Sequence, residues 1–196
     1  EKPTAWNVDA NWSTGSVPAD GADVIINADA VISSEVNVAS ITINNGDSYP
    51  YNTLTVADKG ILTVTGTISQ QSEYLLVLEE GGQIFQNNNN VKARFRMSID
   101  NPSDWSNTSN KDGWQFISMP LENVPHTDFT SFGEYDLYKY DGSQELEWQN
   151  YKDGGFEEEA FKSGVGYLAS LKDAETATVY GTLNTSTSFS SYFAYN

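Results

Sequence analysis

The 196-residue chain is predicted to be all-β, a short right-handed β-helix or solenoid followed by a β-sandwich-like domain. Three observations carry this. β-Branched triplets recur between residues 24 and 85, and Asn, Asp and Gly separate them. Such triplets alternate inward and outward side chains, and the polar punctuation turns the chain sharply. Finally, 38% hydrophobic and 13% aromatic content fits a β protein with thin cores, in which Trp and Tyr supply much of the buried area.

The opening carries Trp6, Trp12, Gly15 and Pro18 in a segment with little periodicity. Two tryptophans there are expected to plug the open end of a coil, whose last layer otherwise exposes an apolar interior. Sugar-stacking platforms are the competing use of the same rings. Val24–Ile26, Val31–Ile32 and Val36–Val38 make a first coil of about twenty residues. Ile41–Ile43, Leu54–Val56 and Leu62–Val64 make a second, and Tyr74–Leu78 with Ile84-Phe85 a third. Corners at Asn44-Asn45-Gly46-Asp47, Asp58-Lys59-Gly60 and Glu79-Glu80-Gly81-Gly82 use residues that tolerate positive φ. An ordinary β-sandwich yields a similar strand list.

The run Asn87–Asn90 reads as a connector, dividing the chain into 1–90 and 91–196. Next, Val91–Ile99 alternates cleanly, with Val91, Ala93, Phe95, Met97 and Ile99 toward a core and Lys92, Arg94 and Arg96 opposite. Arg94 and Arg96 are the only two arginines of the chain. Pairing with nearby carboxylates is the default; contact with an anion or uronic acid is the alternative. Further strands are expected at Trp114–Met119, Tyr135–Tyr140, Glu147–Tyr151, Gly166–Leu171 and Thr176–Leu183. Asp141-Gly142 marks a hairpin turn. Glu157–Phe161 alone has helical flavour, and Ser188–Asn196 reads as a final strand or a cut end.

Charge and composition exclude several functions. Ten Lys and Arg against 27 Asp and Glu give a formal charge of −17, which repels phosphate backbones and excludes nucleic acid as a partner. The excess serves solubility, or alternatively cation binding. Without cysteine there is no disulfide, thiolate nucleophile or Cys-based zinc site. No stretch approaches the ~20 apolar residues of a membrane span, so insertion by this chain is not expected. No signal peptide is present, and the start at Glu1-Lys2-Pro3 reads as the trimmed end of a mature or recombinant polypeptide.

The opening, with Gly15-Ser16-Val17-Pro18 before a first strand and repeated Leu-Thr-Val and Ile-Thr-Ile rungs, resembles solenoid-like segments of large extracellular proteins of Bacteroidetes. The second half is similar to the module that follows in such proteins. Its marks are the Arg94 and Arg96 strand, Trp114-Gln115-Phe116-Ile117-Ser118-Met119-Pro120, Tyr135-Asp136-Leu137-Tyr138-Lys139-Tyr140-Asp141, Trp148-Gln149-Asn150-Tyr151 and Gly164-Val165-Gly166-Tyr167-Leu168. The resemblance implies a secreted or cell-surface, outer-membrane-associated protein, adhesin-like and usually longer than this chain. It brings no catalytic motif.

Chemistry competes with packing at each candidate. His126 lies in the Pro-containing loop Val124–Asp128, where a triad with Asp128 and Ser131 is imaginable. No Gly-x-Ser-x-Gly turn accompanies it, and a surface histidine is the better reading. Glycosidases need two acids, but Glu145, Glu147, Glu157, Glu158 and Glu159 carry no specific signal in so acidic a chain. Asp104, Asn107, Asn110 and Asp112 form an oxygen-rich loop that could hold calcium, yet their spacing departs from the calcium-loop pattern and an Asx-turn linker explains the same letters. No other cofactor is expected.

Aromatic residues give the best candidate surface. Tyr138 and Tyr140 share a strand face with Asp136, while Tyr135 and Leu137 take the other; Trp148 and Tyr151 follow. Flat rings stack on pyranose faces, and Asp and Asn bind their hydroxyls. The same rings could instead fill a sandwich core. The expected function is a non-catalytic extracellular module of a bacterial surface protein, adhesin-like or a spacer. A carbohydrate-binding module using Tyr138, Tyr140, Trp148 and Tyr151 is the alternative, with a polysaccharide or host glycan as partner. A polysaccharide-degrading enzyme is the remaining one.

Overall fold

The computed structural model describes residues 4–46, 51–99, 114–130, 134–156, 160–162, 164–172 and 175–185. These residues are almost all strand and turn. They divide into two compact units, Glu1–Arg96 with Tyr180–Thr185, and Met97–Val179.

In the first unit the strands are β1 (Thr4–Ala5), β2 (Ala22–Ile26), β3 (Ala30–Ile32), β4 (Glu35–Ile43), β5 (Leu54–Val56), β6 (Ile61–Val64), β7 (Ile68–Gln70), β8 (Leu76–Glu79), β9 (Gln83–Phe85) and β10 (Lys92–Ile99), whose residues from Met97 on belong to the second unit. One set pairs in parallel in the order β1, β3, β5, β8, β10. Its register puts Ile32, Val56, Leu78 and Phe95 in one column, all buried. A second parallel sheet runs β2, β4, β6, β9, and the long β4 pairs with β7 through its second half. The triplets thus form strands as expected, because a period of two lets every other apolar residue face a core.

Corners repeat as well. Gly60 and Gly82, one residue before the register partners Ile61 and Gln83, lie against the carbonyls of Ile32 and Val56, themselves register partners. A β-carbon at Gly60 would stand 2.3 Å from the Ile32 oxygen, so no larger residue fits. Asn44 Nδ2 donates to Asn27 Oδ1 at 2.7 Å at another corner, one residue after the partners Ile43 and Ile26. After the Asn87–Asn90 run the chain enters β10, where Ala93–Arg96 pair with β8. Tyr180–Thr185 returns to this unit, with the Leu183 amide donating to the Val91 carbonyl.

The second unit contains β11 (Gln115–Ser118), β12 (Leu121–Glu122), the helical turn α1 (His126–Thr130), β13 (Tyr135–Tyr140), β14 (Trp148–Asn150) and β15 (Gly166–Leu171); β16 (Glu175–Leu183) begins here. An antiparallel sheet takes the order β11, β15, β13, β14. One face is a core of Ile117, Leu137, Tyr167, Ala169 and Leu171, all buried. Two expectations fail here. The Pro125-His126 segment, read as a loop, turns into α1. His126, read as a surface residue, is fully buried, its ring 4.5–5.8 Å from those of Tyr151, Phe156, Phe161 and Tyr167. Aromatic residues distant in sequence enclose it, which no local pattern announces.

Candidate functional site

Strand alternation assigns the other face of the antiparallel sheet. If Leu137 points into the core, then Asp136, Tyr138 and Tyr140 point away from it. The register carries this across the sheet. Phe116 opposes Leu168, Leu168 opposes Tyr138, Tyr138 opposes Asn150, and Tyr140 opposes Trp148. Trp114, just before β11, falls on the same side as Phe116.

The result is an aromatic face left to solvent. Phe116 is 76% exposed, Tyr140 51%, Trp114 42% and Trp148 40%. The rings touch in sequence: Trp114 to Tyr138 at 5.6 Å, Tyr140 to Trp148 at 5.3 Å, and Phe116 to Trp148 at 6.2 Å between centroids. Their planes are inclined by 62°, 67° and 46° in the same order, so the surface is ridged and not flat.

Polar groups border the rings. Asn150 Nδ2 donates to Asp136 Oδ1 at 3.4 Å, and Lys152 Nζ stands 3.5 Å from the same oxygen. Glu147 sits beside the Tyr140 hydroxyl, and its charge raises the phenol above its ordinary pKa, with desolvation and their hydrogen bond adding to the shift. In the β13–β14 loop, Ser143 donates through Oγ (2.7 Å) and N–H (3.0 Å) to Asp141 Oδ1, which holds that carboxyl below the usual range.

The four expected ring residues therefore separate. Tyr138, Tyr140 and Trp148 share the solvent face. Tyr151 follows β14 in a turn and packs on His126 (5.0 Å) and Phe156 (5.3 Å), on the core side. Trp114 and Phe116, expected only as part of a strand, belong to the same face. Their alternation with Gln115 and Ile117 was the available signal.

Elsewhere, Trp6 is buried and Trp12 lies edge-on to it at 4.7 Å, donating from Nε1 to the Trp6 carbonyl at 2.8 Å. Trp12 remains half-buried beside a cleft of about 190 Å³ that Asn11, Ile25 and Asn27 also line. Asp128 lies on α1, while Ser131 and Glu157–Glu159 fall outside the described residues, as do the calcium candidates Asp104, Asn107, Asn110 and Asp112. Among the described residues no three His, Cys, Asp or Glu gather as metal ligands.

No curated protein and no solved structure matches this chain. A family match does cover residues 1–194, and so spans both compact units: the chain belongs to the family described as a domain of unknown function, DUF8693.

Proposed function

We propose that the chain is a non-catalytic, adhesin-like module of a bacterial cell-surface protein, and that the aromatic face of its second unit binds a polysaccharide or host glycan. The observation that carries this is the row Trp114, Phe116, Tyr138, Tyr140 and Trp148 on one sheet face. Burying a large apolar side chain stabilises a fold by about 1.5–3 kcal/mol, so a face that leaves several such rings half-open forgoes that gain. Pyranose faces are apolar patches that aromatic rings cover well, and Asp136 and Asn150 offer partners for hydroxyls. The 46–67° inclinations favour a soluble chain whose sugar planes turn over the flat surface of a crystalline one.

The scaffold reading goes with this. The two parallel sheets of the first unit are the sides of a short right-handed solenoid, with Trp6 and Trp12 closing one end. Its support is the repeated register, the matching corners at Gly60 and Gly82, and the Asn27–Asn44 amide pair. The order of the Trp114–Pro120, Tyr135–Asp141 and Gly164–Leu168 segments supports the surface location by resemblance.

Titration of intrinsic tryptophan fluorescence against a panel of soluble glycans tests the binding. Saturable quenching that Trp148→Ala removes is expected for at least one glycan. No response to any member, or an equal response in the variant, would discard the site.

A further inference from the structure

We propose that the outward face of β10 carries a second site, in which Lys92 and Arg94 take the carboxylate of an acidic sugar. It lies in the first unit and does not rest on the aromatic-face reading. In a chain with 27 acids and ten bases, a carboxylate partner is the expected neighbour of every cation. Arg96 has one: Glu79 stands directly opposite it on β8, 3.7 Å away. Arg94 stands opposite Val77, which is fully buried and offers nothing to pair with.

Among the described residues Arg94 has no carboxylate partner. Its guanidinium lies 5.9 Å above the centre of the Tyr180 ring, and its buried Nε has no hydrogen-bond partner. A buried donor left unsatisfied is costly, and a guanidinium fork matches a carboxylate in geometry as well as charge. Two residues back on the same face, about 7 Å along the strand, Lys92 Nζ donates to the Thr182 hydroxyl at 3.1 Å.

The rings beside these cations are held in place. Tyr180 is 44% exposed, and Tyr74 packs edge-on against it at 5.1 Å and 81°. Tyr74 itself has φ 64°, a left-handed conformation that an aromatic residue adopts only where its surroundings impose it. A half-open tyrosine next to a forked cation suits a ligand with an apolar face and a carboxylate, as a uronate has. An inorganic anion offers nothing to the ring, and a long polyanion is repelled by the −17 chain.

Two arginines mean two side-chain Nε–H resonances, which makes the test direct. The intact chain labelled with ¹⁵N is titrated with trigalacturonate, neutral galactotriose and sodium sulfate, the resonances being assigned through Arg96→Lys. The Arg94 resonance should move saturably with trigalacturonate, at least about tenfold more tightly than with either other ligand, because only it supplies both carboxylate and sugar. Trp148→Ala should leave this titration unchanged, separating it from the aromatic-face reading. A still Arg94 resonance, an equal response to galactotriose, or sulfate binding as tight as trigalacturonate would overturn the proposal. Arg94→Lys removes that resonance, so the backbone amide shifts of β10 are followed in both forms; they should titrate more weakly with trigalacturonate in the variant, which keeps the charge and loses the fork, and undiminished binding there overturns the role given to the guanidinium.

Discussion

Tyr140 and Trp148 oppose each other across the β13–β14 hairpin, their ring centroids 5.3 Å apart and their planes 67° apart. Edge-on pairs of this kind contribute about 0.5–1.5 kcal/mol beyond the area they cover. Trp148 is also 40% exposed, so little core depends on it. Trp148→Ala should therefore cost about 1 kcal/mol in urea unfolding, with unchanged far-ultraviolet circular dichroism. A loss above about 3 kcal/mol would make Trp148 a core residue and remove the basis of the ligand face.

Glu147 gives the same face a pH signature. Its charge keeps the Tyr140 phenol protonated to higher pH than an ordinary tyrosine, and desolvation acts in the same direction. The folded state thus holds this proton longer than the unfolded chain. The resulting stability is complete below the ordinary tyrosine pKa of about 10 and is lost as pH rises through the higher folded value. In Glu147→Gln the largest cause disappears, so the Tyr140 titration, followed by ¹³Cζ-tyrosine NMR, should move down toward the ordinary range. An unmoved midpoint would mean that Glu147 is not the cause.

Corner glycines supply a sharper structural test. A β-carbon at Gly60 would meet the Ile32 oxygen at 2.3 Å, and one at Gly82 the Val56 oxygen at 2.5 Å. Both obstacles are backbone and cannot swing aside. Gly166, on the open sheet face, has nothing within 4 Å of the same position. Gly60→Ala and Gly82→Ala are expected to cost about 2 kcal/mol or more, and Gly166→Ala within about 0.5 kcal/mol of zero. Urea midpoints of the three variants settle it. Equal effects at all three positions would show that close approach at the corners does not govern the fold.

The contrast between Tyr138 and Tyr151 shows how much of this was legible in the chain. Within β13 the alternation of Asp136, Leu137, Tyr138 and Lys139 assigns faces directly, because the pleat enforces a period of two. Tyr151 follows β14, yet its amide still donates to the Leu137 carbonyl of β13, and the same alternation carried on from Trp148 and Asn150 turns its ring to the core side. What alternation leaves unread is what that ring meets there, His126 and Phe156, which other parts of the chain bring to it. The strands from Val24 to Phe85 were readable for the first reason. Their pairing partners were not, since Ile32, Val56 and Leu78 share a column only through contacts between residues far apart in sequence. Arg94 shows the same limit: its face follows from alternation, but that Val77 and no carboxylate stands opposite it on β8 depends on the register between strands.

His126 is where packing overrode the sequence most completely. It is fully buried, with the rings of Phe161, Tyr151, Phe156 and Tyr167 at 4.5, 5.0, 5.4 and 5.8 Å. Phe129, on the next turn of α1, is also fully buried and meets Phe161 at 5.9 Å. Replacing the imidazole by a methyl group removes the centre of this cluster and leaves a cavity that rigid rings cannot fill by small shifts. His126→Ala should then cost about 2–4 kcal/mol, as large-to-small changes in packed cores do. Near-ultraviolet circular dichroism should weaken as the surrounding tyrosines lose their fixed orientation, and the urea midpoint should fall. A surface histidine would lose less than about 0.5 kcal/mol on the same change and leave the near-ultraviolet signal intact, and that result would contradict the buried position.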